Sequence, residues 1–214
     1  MGTRAVIFDM DGVLIDSGAH HRAAWRALLD ELGVAPLAPD SWRLTIGRPS
    51  VEAVPLLLGR PLSGAEAQRL AARKQEHYRR LVTGGPTTVR GVVEFVAELA
   101  ARSVPRAVAT SASRRDVEDL LTRAGLRHRF EAVVAAEDVN RGKPDPEVYL
   151  LAASRLGVEP GHCLVFEDAV VGVRAARSAG MRAIGVSTAH TETELRAAGA
   201  ERAVEDFEGV AWPA

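Results

Sequence analysis

The sequence is poor in cysteine and has no long apolar run. Its single cysteine, Cys163, lies in an apolar stretch, so an intrachain disulfide is excluded and the thiol is expected to pack as a small core residue. The N-terminal apolar stretch Ala5–Phe8 is too short for a signal peptide and runs directly into two aspartates. No stretch of the sequence is long and apolar enough to span a bilayer. These absences predict a cytoplasmic protein without a membrane partner.

The charges are nearly balanced, and lysine is scarce. A formal net charge of -1 argues against binding nucleic acid through broad electrostatic attraction. Only two of the 27 basic residues, Lys74 and Lys143, are lysines. An ammonium group and a guanidinium group are not equivalent where a compact point charge is needed. We therefore treat both lysines as candidate functional residues.

Short apolar runs alternate with helical patterns along most of the chain. The runs predicted to be buried strands are Ala5–Phe8, Arg106–Ala109, Ala132–Ala135, Cys163–Phe166 and Ala183–Val186. The segments predicted to be helices are Val92–Ala101, Val117–Ala124, Glu147–Leu156, Val171–Ala179 and Thr193–Ala198. For the helix near 147, Asp145 is the expected N-cap and Pro146 the expected first residue. Strands that alternate with helices predict an α/β fold, a Rossmann-like parallel sheet with helices on both faces.

The segment between the first two predicted strands breaks this alternation. Residues 18–84 show helical periodicity only, and the segment is too long for one crossover helix. We interpret it as an all-helical cap inserted into an α/β catalytic core, which comprises residues 1–17 and 85–214. The turn-rich sequences Ser17-Gly18 and Gly84-Gly85-Pro86 flank the segment and can act as hinges.

The predicted strands end in polar residues. Asp9 and Asp11 follow the first strand, Thr110-Ser111 the second and Glu167-Asp168 the fourth. Ligands bind beyond the carboxyl ends of the strands in open parallel sheets, so these side chains are expected to converge. Converging carboxylates raise one another's pKa values, and a bound cation removes that conflict. Oxygen ligands without a histidine or cysteine cluster favour Mg²⁺ over zinc.

A carboxylate pair after a strand is more often a solvated turn than a site. Glu137-Asp138, which follows the third predicted strand, is interpreted in that way. The joint placement of the other groups, with Lys143 in a glycine- and proline-rich loop, favours phosphoryl transfer, which depends mainly on positioning and charge stabilisation. Ser111, the backbone N–H of Ala112 and Lys143 would bind the phosphate. One carboxylate would be the nucleophile and another the general acid and base.

Four segments resemble, in order, the four motifs of the haloacid dehalogenase superfamily. They are Asp9-Met10-Asp11-Gly12-Val13, Ala109-Thr110-Ser111, Gly142-Lys143-Pro144-Asp145-Pro146 and Phe166-Glu167-Asp168-Ala169-Val170-Val171-Gly172. The resemblance covers the whole chain and implies that Asp9 attacks phosphorus and becomes transiently phosphorylated. It implies that Asp11 protonates the leaving oxygen and later deprotonates the acceptor. The implied Mg²⁺ ligands are Asp9, the Asp11 backbone carbonyl, Glu167 and Asp168. Ala169 stands where many relatives carry serine, and this departure removes no primary role.

His21 and Lys74 interrupt apolar stripes on two predicted cap helices. The stripes are His21, Trp25, Leu28 and Leu32 on the first helix, and Leu70, Lys74, Tyr78 and Leu81 on the last. In one interpretation His21 is a satisfied core histidine and Lys74 extends to solvent. In the other, both face the active site, as the resemblance of these segments to β-phosphoglucomutases implies.

The loop Gly47-Arg48-Pro49-Ser50 departs from the mutase pattern. Its arginine directly follows the glycine, and Ser50 stands where the mutases have arginine. Arg48 is still expected to reach the substrate phosphate, from a different place. The departure favours a phosphatase over a mutase.

Together these observations predict a Mg²⁺-dependent phosphatase that hydrolyses a small phosphorylated metabolite, a sugar phosphate, through a phosphoaspartate. The alternative is β-phosphoglucomutase, in which a sugar hydroxyl replaces water as the phosphoryl acceptor. A dehalogenase is disfavoured because halide displacement does not need Asp11 or the Glu167-Asp168 pair. A non-catalytic binding module is disfavoured because no nucleophile or metal ligand is missing. We expect a monomer or weak homodimer whose partner is the small phosphorylated substrate, with no nucleic acid and no membrane.

Overall fold

A computed structural model describes residues 2–212 of the chain, and a parallel β-sheet lies at its centre. Within those residues the strands are β1 (Ala5–Phe8), β2 (Arg106–Ala109), β3 (Ala132–Val134), β4 (Cys163–Glu167), β5 (Arg182–Val186) and β6 (Arg202–Val204). They are hydrogen-bonded in the order β3-β2-β1-β4-β5-β6, and every neighbouring pair is parallel. The strand order runs outward in both directions from β1, so a crevice forms at the carboxyl ends of β1 and β4. The predicted fold class is confirmed.

The edge strand β6 was not predicted from the sequence. Its three residues are exposed or half-buried, so they do not form the apolar run that marks a buried strand. Three other boundaries differ by a residue, because β3 ends at Val134, β4 continues to Glu167 and β5 begins at Arg182. The sheet is thus wider than predicted, but its central strands lie where the apolar runs placed them.

Eight α-helices lie among the described residues. They are α1 (Gly18–Leu32), α2 (Ser50–Leu58), α3 (Gly64–Leu81), α4 (Val92–Ala101), α5 (Arg114–Arg123), α6 (Glu147–Leu156), α7 (Val170–Ser178) and α8 (Glu192–Ala197). Helix α5 begins three residues before the predicted Val117, because the Ser113 hydroxyl accepts a hydrogen bond from the Asp116 N–H and caps it. Among the residues 2–212, no helix has the length and apolar character needed to cross a membrane.

The start of α6 corrects one prediction. Pro146 precedes the helix and does not form its first residue. The Asp145 carboxylate nevertheless accepts a hydrogen bond from the Glu147 N–H at 3.0 Å. The capping role expected of Asp145 is therefore present, with the boundary shifted by one residue.

The interpretation of Glu137-Asp138 as a solvated turn is wrong for Asp138. Its carboxylate pairs with Arg114 and lies 3.2 Å from Arg155 Nη1. It also accepts a hydrogen bond from the Ala135 N–H at 2.9 Å. Asp138 therefore stabilises the turn after β3 and stays outside the candidate site.

Strand β1 is buried on both faces of the sheet. Val6 and Phe8 pack into one apolar cluster, and Ala5 and Ile7 pack into the cluster on the other side. The rings of Phe8 and Phe166 are stacked with their centroids 5.4 Å apart. Burial of each large apolar side chain contributes about 1.5–3 kcal/mol. This packing fixes the ends of β1 and β4, from which the candidate catalytic side chains project.

Helices α1, α2 and α3 pack around an apolar cluster of their own. Its buried members are Trp25, Leu28, Leu29, Ala53, Val54 and Leu57. The two predicted stripes end at the surface, where Leu32 is 38% and Leu81 is 43% exposed. The segment between β1 and β2 is therefore helical as predicted, while the domain limits 1–17, 18–84 and 85–214 stay a prediction.

Candidate active site

Three buried carboxylates meet at the carboxyl ends of β1 and β4. Asp9 directly follows β1, Glu167 ends β4, and Asp168 comes next in the chain. Each of the three offers an oxygen, and these oxygens lie within 4.8 Å of one another. Glu167 is fully buried, and Asp9 and Asp168 are 4% and 5% exposed. The convergence expected from the strand ends is thus present for these residues.

Lys143 joins two of these carboxylates. Its ammonium donates hydrogen bonds of 2.7 Å to Asp9 Oδ1 and of 2.7 Å to Glu167 Oε1. The Tyr149 hydroxyl also donates to Glu167 Oε1 at 3.0 Å, and the Ala169 N–H donates to Glu167 Oε2 at 2.7 Å. Ala169 has no hydroxyl, so it supports the site through its backbone only. Glu167 is therefore fixed at both oxygens, and Asp9 is oriented by the lysine.

The electrostatics of the group fit a bound divalent cation. Burial raises the pKa of Asp9 to about 7, because the attraction of Lys143 offsets it only in part and Glu167 adds repulsion. Burial and the repulsion of Glu167 hold the pKa of Asp168 well above its ordinary value. One ammonium does not balance three carboxylates, and the donors are all oxygens. A hard cation such as Mg²⁺ suits this donor set.

Two glycines leave room for the carboxylates. A Cβ at Gly12, whose φ is +76°, would overlap the Asp168 carboxylate. A Cβ at Gly172 would overlap the carboxylate of Glu167. Thr188, which the sequence did not single out, donates from its hydroxyl to the Gly12 carbonyl at 2.6 Å. The chain thus approaches the acidic group more closely than any side chain at these glycines would permit.

Asp11 has different partners from the other three carboxylates. Its Oδ1 accepts a hydrogen bond from the Ser17 hydroxyl at 2.6 Å and lies 3.1 Å from His21 Nε2. Burial would raise the pKa of Asp11, but the contacts with His21 and Ser17 outweigh it and lower the pKa. The side chain faces the cap and is not part of the carboxylate group. Binding of a metal through its backbone carbonyl stays a prediction.

Lys74 lies where the second interpretation of the cap stripes expects it. Its side chain is 2% exposed, and its ammonium is 2.7 Å from His21 Nδ1. The ammonium also lies 5.0 Å from the Trp25 ring centre and 5.3 Å from that of Tyr78. Because an ammonium can only donate, Nδ1 accepts and the His21 proton is on Nε2, which faces Asp11. The interpretation in which Lys74 extends to solvent is wrong.

A cavity of about 360 Å³ lies between the cap helices and the ends of the strands. Its lining includes the core residues Asp9, Asp11, Ser111, Ala112 and Asp168, and the cap residues His21, Trp25, Trp42, Arg48, Ser50 and Lys74. The candidate groups of the core and of the cap therefore face one space. Lys143 and Glu167 do not line the cavity. They lie behind Asp9, which Lys143 contacts directly. No spacing pattern in the sequence pointed to Trp42.

The candidate phosphate donors are engaged within the protein. The Ser111 hydroxyl donates to the Gly47 carbonyl of the cap loop at 2.9 Å. The Ala112 N–H donates to the Thr110 hydroxyl at 3.1 Å. A serine hydroxyl has one proton to donate, so Ser111 must release Gly47 if it is to bind a phosphate oxygen.

Two polar contacts that sequence reasoning missed connect the cap to the core. Arg43, in a 3-10 turn before α2, donates to both oxygens of Glu194 on α8 at 2.7 and 2.8 Å. Gln75 and Arg79 on α3 donate to the Asp116 carboxylate on α5. Asp116 stands three residues after Ser113, a spacing that indicates helix capping and gives no sign of a cap contact.

The structure defines the chain as an α/β protein with a buried acidic group at the switch point of its parallel sheet, beneath cap helices. A family model for haloacid dehalogenase-like hydrolases matches residues 3–180. The chain belongs to this family, and the predicted membership is confirmed.

Three relatives show what the chain is similar to. It is 36% identical to the validoxylamine A 7'-phosphate phosphatase of Streptomyces hygroscopicus subsp. limoneus, over 98% of this chain and 97% of the relative. It is 38% identical to the fructose-1-phosphate phosphatase of Escherichia coli (strain K12), over 85% of this chain and 95% of the relative. It is 32% identical to the β-phosphoglucomutase of Bacillus subtilis (strain 168), over 86% of this chain and 83% of the relative. The predicted enzyme class, a phosphoric monoester hydrolase, is confirmed.

Proposed function

We propose that the protein is a Mg²⁺-dependent phosphatase that hydrolyses a small phosphorylated carbohydrate through a phosphoaspartate at Asp9. The observation that carries the proposal is the group at the end of β1, where Lys143 Nζ holds Asp9 Oδ1 at 2.7 Å beside two further buried carboxylates. Two relatives named as phosphatases, for validoxylamine A 7'-phosphate and for fructose 1-phosphate, support the substrate class.

The core residues would divide the chemistry between them. Lys143 holds one oxygen of Asp9, which leaves the other oxygen to attack phosphorus. Asp11 would be the general acid of the first step, and because its contacts with His21 and Ser17 lower its pKa, it would have to give up the His21 contact and take up a proton before donating that proton to the leaving oxygen. In the second step Asp11 takes a proton from the water that attacks the phosphoaspartate, so that inorganic phosphate leaves and Asp9 is restored. Ser111 and the Ala112 N–H would exchange their internal partners for phosphate oxygens.

Mg²⁺ would be held by the carboxylates of Asp9, Glu167 and Asp168 and by the Asp11 backbone carbonyl. When bound, it would neutralise charge on the acidic group and on the transferred phosphoryl group. The excess of buried negative charge on these side chains supports this assignment.

The cap residues would select the substrate. Lys74, His21 and Arg48 line the same cavity as Asp9. Lys74 and His21 would contact the part of the substrate beyond the phosphate, and Arg48 would reach the phosphate. Trp25 and Trp42 add aromatic faces suited to the apolar side of a sugar ring. We retain the predicted cap at 18–84, the core at 1–17 and 85–214, and a cytoplasmic location as parts of the proposal.

The second candidate is a β-phosphoglucomutase, favoured by the 32% identity to the Bacillus subtilis enzyme. The two candidates share the phosphoaspartate and differ in the acceptor. The test is phosphate release with Mg²⁺ over a panel of sugar phosphates, beside a coupled assay for glucose 6-phosphate from β-glucose 1-phosphate. We expect inorganic phosphate as the main product. Faster formation of glucose 6-phosphate than of phosphate would establish the mutase, and no turnover of any phosphomonoester would refute both.

A further inference from the structure

A buried carboxylate on the core helix α5 accepts hydrogen bonds from two side chains of the cap helix α3. Asp116 is 5% exposed. It accepts hydrogen bonds from Gln75 Nε2 at 2.9 Å and from Arg79 Nε and Nη2 at 2.7 and 3.2 Å. The Ser113 hydroxyl of its own helix donates at 2.5 Å. Two side chains of one cap helix are thus fixed by a single carboxylate of the core.

Gln75 extends this contact toward the site. Because its amide nitrogen donates to Asp116, its amide oxygen faces Lys74, whose ammonium donates to it at 3.4 Å. Lys74 in turn donates to His21 Nδ1 at 2.7 Å, and His21 Nε2 is 3.1 Å from Asp11. A series of close polar contacts therefore leaves the core at Asp116, passes through the cap and returns to the core at Asp11, where the approach of His21 Nε2 at 3.1 Å lacks hydrogen-bond geometry.

The second ion pair between cap and core differs in both burial and location. Arg43 and Glu194 have side chains that are 35% and 42% exposed, and neither belongs to α3. Exposed pairs contribute little to stability, whereas loss of one partner of a buried, hydrogen-bonded charge leaves the other uncompensated. Burial alone would raise the pKa of Asp116, but hydrogen bonds from Arg79 and Ser113 outweigh it, and the carboxylate stays charged at neutral pH.

We propose that Asp116, Gln75 and Arg79 form a clasp of positioning residues, which holds α3 against the core so that Lys74 and His21 lie over Asp11. None of the three needs to touch the phosphoryl group. The clasp acts through Lys74 and therefore on substrates that reach the cap. The expected effect of the clasp on kcat/KM rests on the proposed phosphatase function. The expected effect on the attachment of α3 to the core does not.

The kinetic test compares two substrates in three variants. Gln75→Ala and Asp116→Asn should each lower kcat/KM for the best sugar phosphate on the order of tenfold to a hundredfold, because small misplacements of orienting groups are costly. Acetyl phosphate has no group that reaches the cap, so its kcat/KM should change less than about threefold. The matched control, Arg43→Ala, breaks the other ion pair and should leave both substrates within about threefold. Equal losses on both substrates, or an equal loss in the control, would overturn the proposal.

The structural test does not depend on activity. Amide hydrogen exchange of residues 64–81 is measured without substrate in the wild type and the same variants. Exchange should accelerate in Gln75→Ala and Asp116→Asn, because these changes remove side-chain hydrogen bonds between α3 and α5, and not in Arg43→Ala, because neither partner of that ion pair belongs to α3. Gln75 is half-buried and alanine suits a helix, so this variant carries the test even if Asp116→Asn fails to fold. Unchanged exchange in Gln75→Ala would refute the clasp, while inactivity of the wild type on all phosphomonoesters would refute only the proposed function.

Discussion

The two lysines of the chain lie in different regions and show opposite electrostatics at nearly equal burial. Lys143, in the core, is 1% exposed, and Lys74, in the cap, is 2% exposed. Burial would lower the pKa of Lys143, but the charges of Asp9 and Glu167 outweigh it and raise the pKa well above 10.5. Burial lowers the pKa of Lys74 to about 8, because the more distant carboxylates offset it only in part.

The difference shows that, at nearly equal burial, the charge of the neighbouring groups decides whether the pKa of a lysine is lowered or raised. The charge of Lys143 is shared between two carboxylates at 2.7 Å, so the ammonium is fixed in position and, in the proposed function, orients Asp9. Lys74 donates to a neutral imidazole nitrogen and lies at the wall of the cavity. Among residues 2–212, no carboxylate forms an ion pair with Lys74, and in the proposed function its charge is available to a substrate. In the proposed function, the core therefore carries out the reaction and the cap selects the substrate.

The largest effect is expected from the core carboxylate that Lys143 orients. Asp9→Asn keeps the size of the side chain and removes both the nucleophile and a metal ligand. Turnover should fall by many orders of magnitude, at about 1.4 kcal/mol of barrier for each factor of ten. Steady-state phosphate release is the measurement, with mass spectrometry to exclude deamidation back to aspartate. Appreciable activity in a verified Asn variant would remove Asp9 from the role of nucleophile.

Metal removal tests whether a cation balances the negative charge of the core carboxylates that Lys143 alone does not neutralise. Exhaustive chelation with EDTA should abolish phosphate release from every substrate, and added Mg²⁺ should restore it, because three buried carboxylates are left with one ammonium. Acetyl phosphate is included to show that the loss does not depend on the cap. Full activity after chelation would contradict the metal site, and restoration by zinc alone would show that another metal is used.

A smaller and more selective effect is expected in the cap. Lys74→Ala should cost at least about tenfold in kcat/KM on the best sugar phosphate, because the lysine orients the part of the substrate beyond the phosphate. Turnover of acetyl phosphate should stay nearly unchanged. The ratio of the two kcat/KM values is the measurement, since a general loss of folded enzyme would lower both. Unchanged kinetics on the best substrate would remove Lys74 from the substrate site.

The same contrast between core and cap explains how far the sequence could predict the structure. The central strands β1, β2 and β4 are short apolar runs buried on both sides, so their positions follow from local pattern. The polar residues at their ends then meet because parallel strands place their carboxyl ends together. Lys143 reaches this group from a loop, and two features of the sequence indicated its role, the scarcity of lysine and the motif that contains it.

The cap contacts could not be predicted in the same way. Asp116 and Gln75 are 41 residues apart in the chain, and no periodicity relates a cap helix to a core helix. The strand β6 was missed because an edge strand of three partly exposed residues lacks an apolar run. Helix starts were misplaced where a polar cap such as Ser113 precedes the first apolar residue. Local pattern thus predicts the elements, whereas the docking of the cap on the core depends on side chains that meet only after folding.

The smallest effect, on stability, contrasts the two lysines most directly. The folded pKa of Lys74 lies at about 8, below its ordinary 10.5, so the unfolded chain binds more protons between these values. Its charge therefore weakens the folded state in full below about pH 8, and the penalty shrinks as the pH rises toward 10.5. The folded pKa of Lys143 is raised, so its charge stabilises the fold below pH 10.5 and this contribution is lost only as the pH rises through the folded pKa.

Replacement of each lysine by methionine, which has similar volume and no charge, should therefore have opposite results. At pH 7, Lys74→Met should raise Tm by a few degrees, on a scale of about 2–4 °C per kcal/mol for a chain of this size, and the gain should diminish between pH 8 and 10. Lys143→Met should lower Tm at every pH in that range, because Asp9 and Glu167 lose their shared cation while both remain buried. Calorimetry without Mg²⁺ isolates the charges of the protein. A fall in Tm for both variants at pH 7 would mean that the Lys74 ammonium stabilises the folded state. Lys74 would then have a structural role like that of Lys143, and the proposal that its charge is available to a substrate would be wrong.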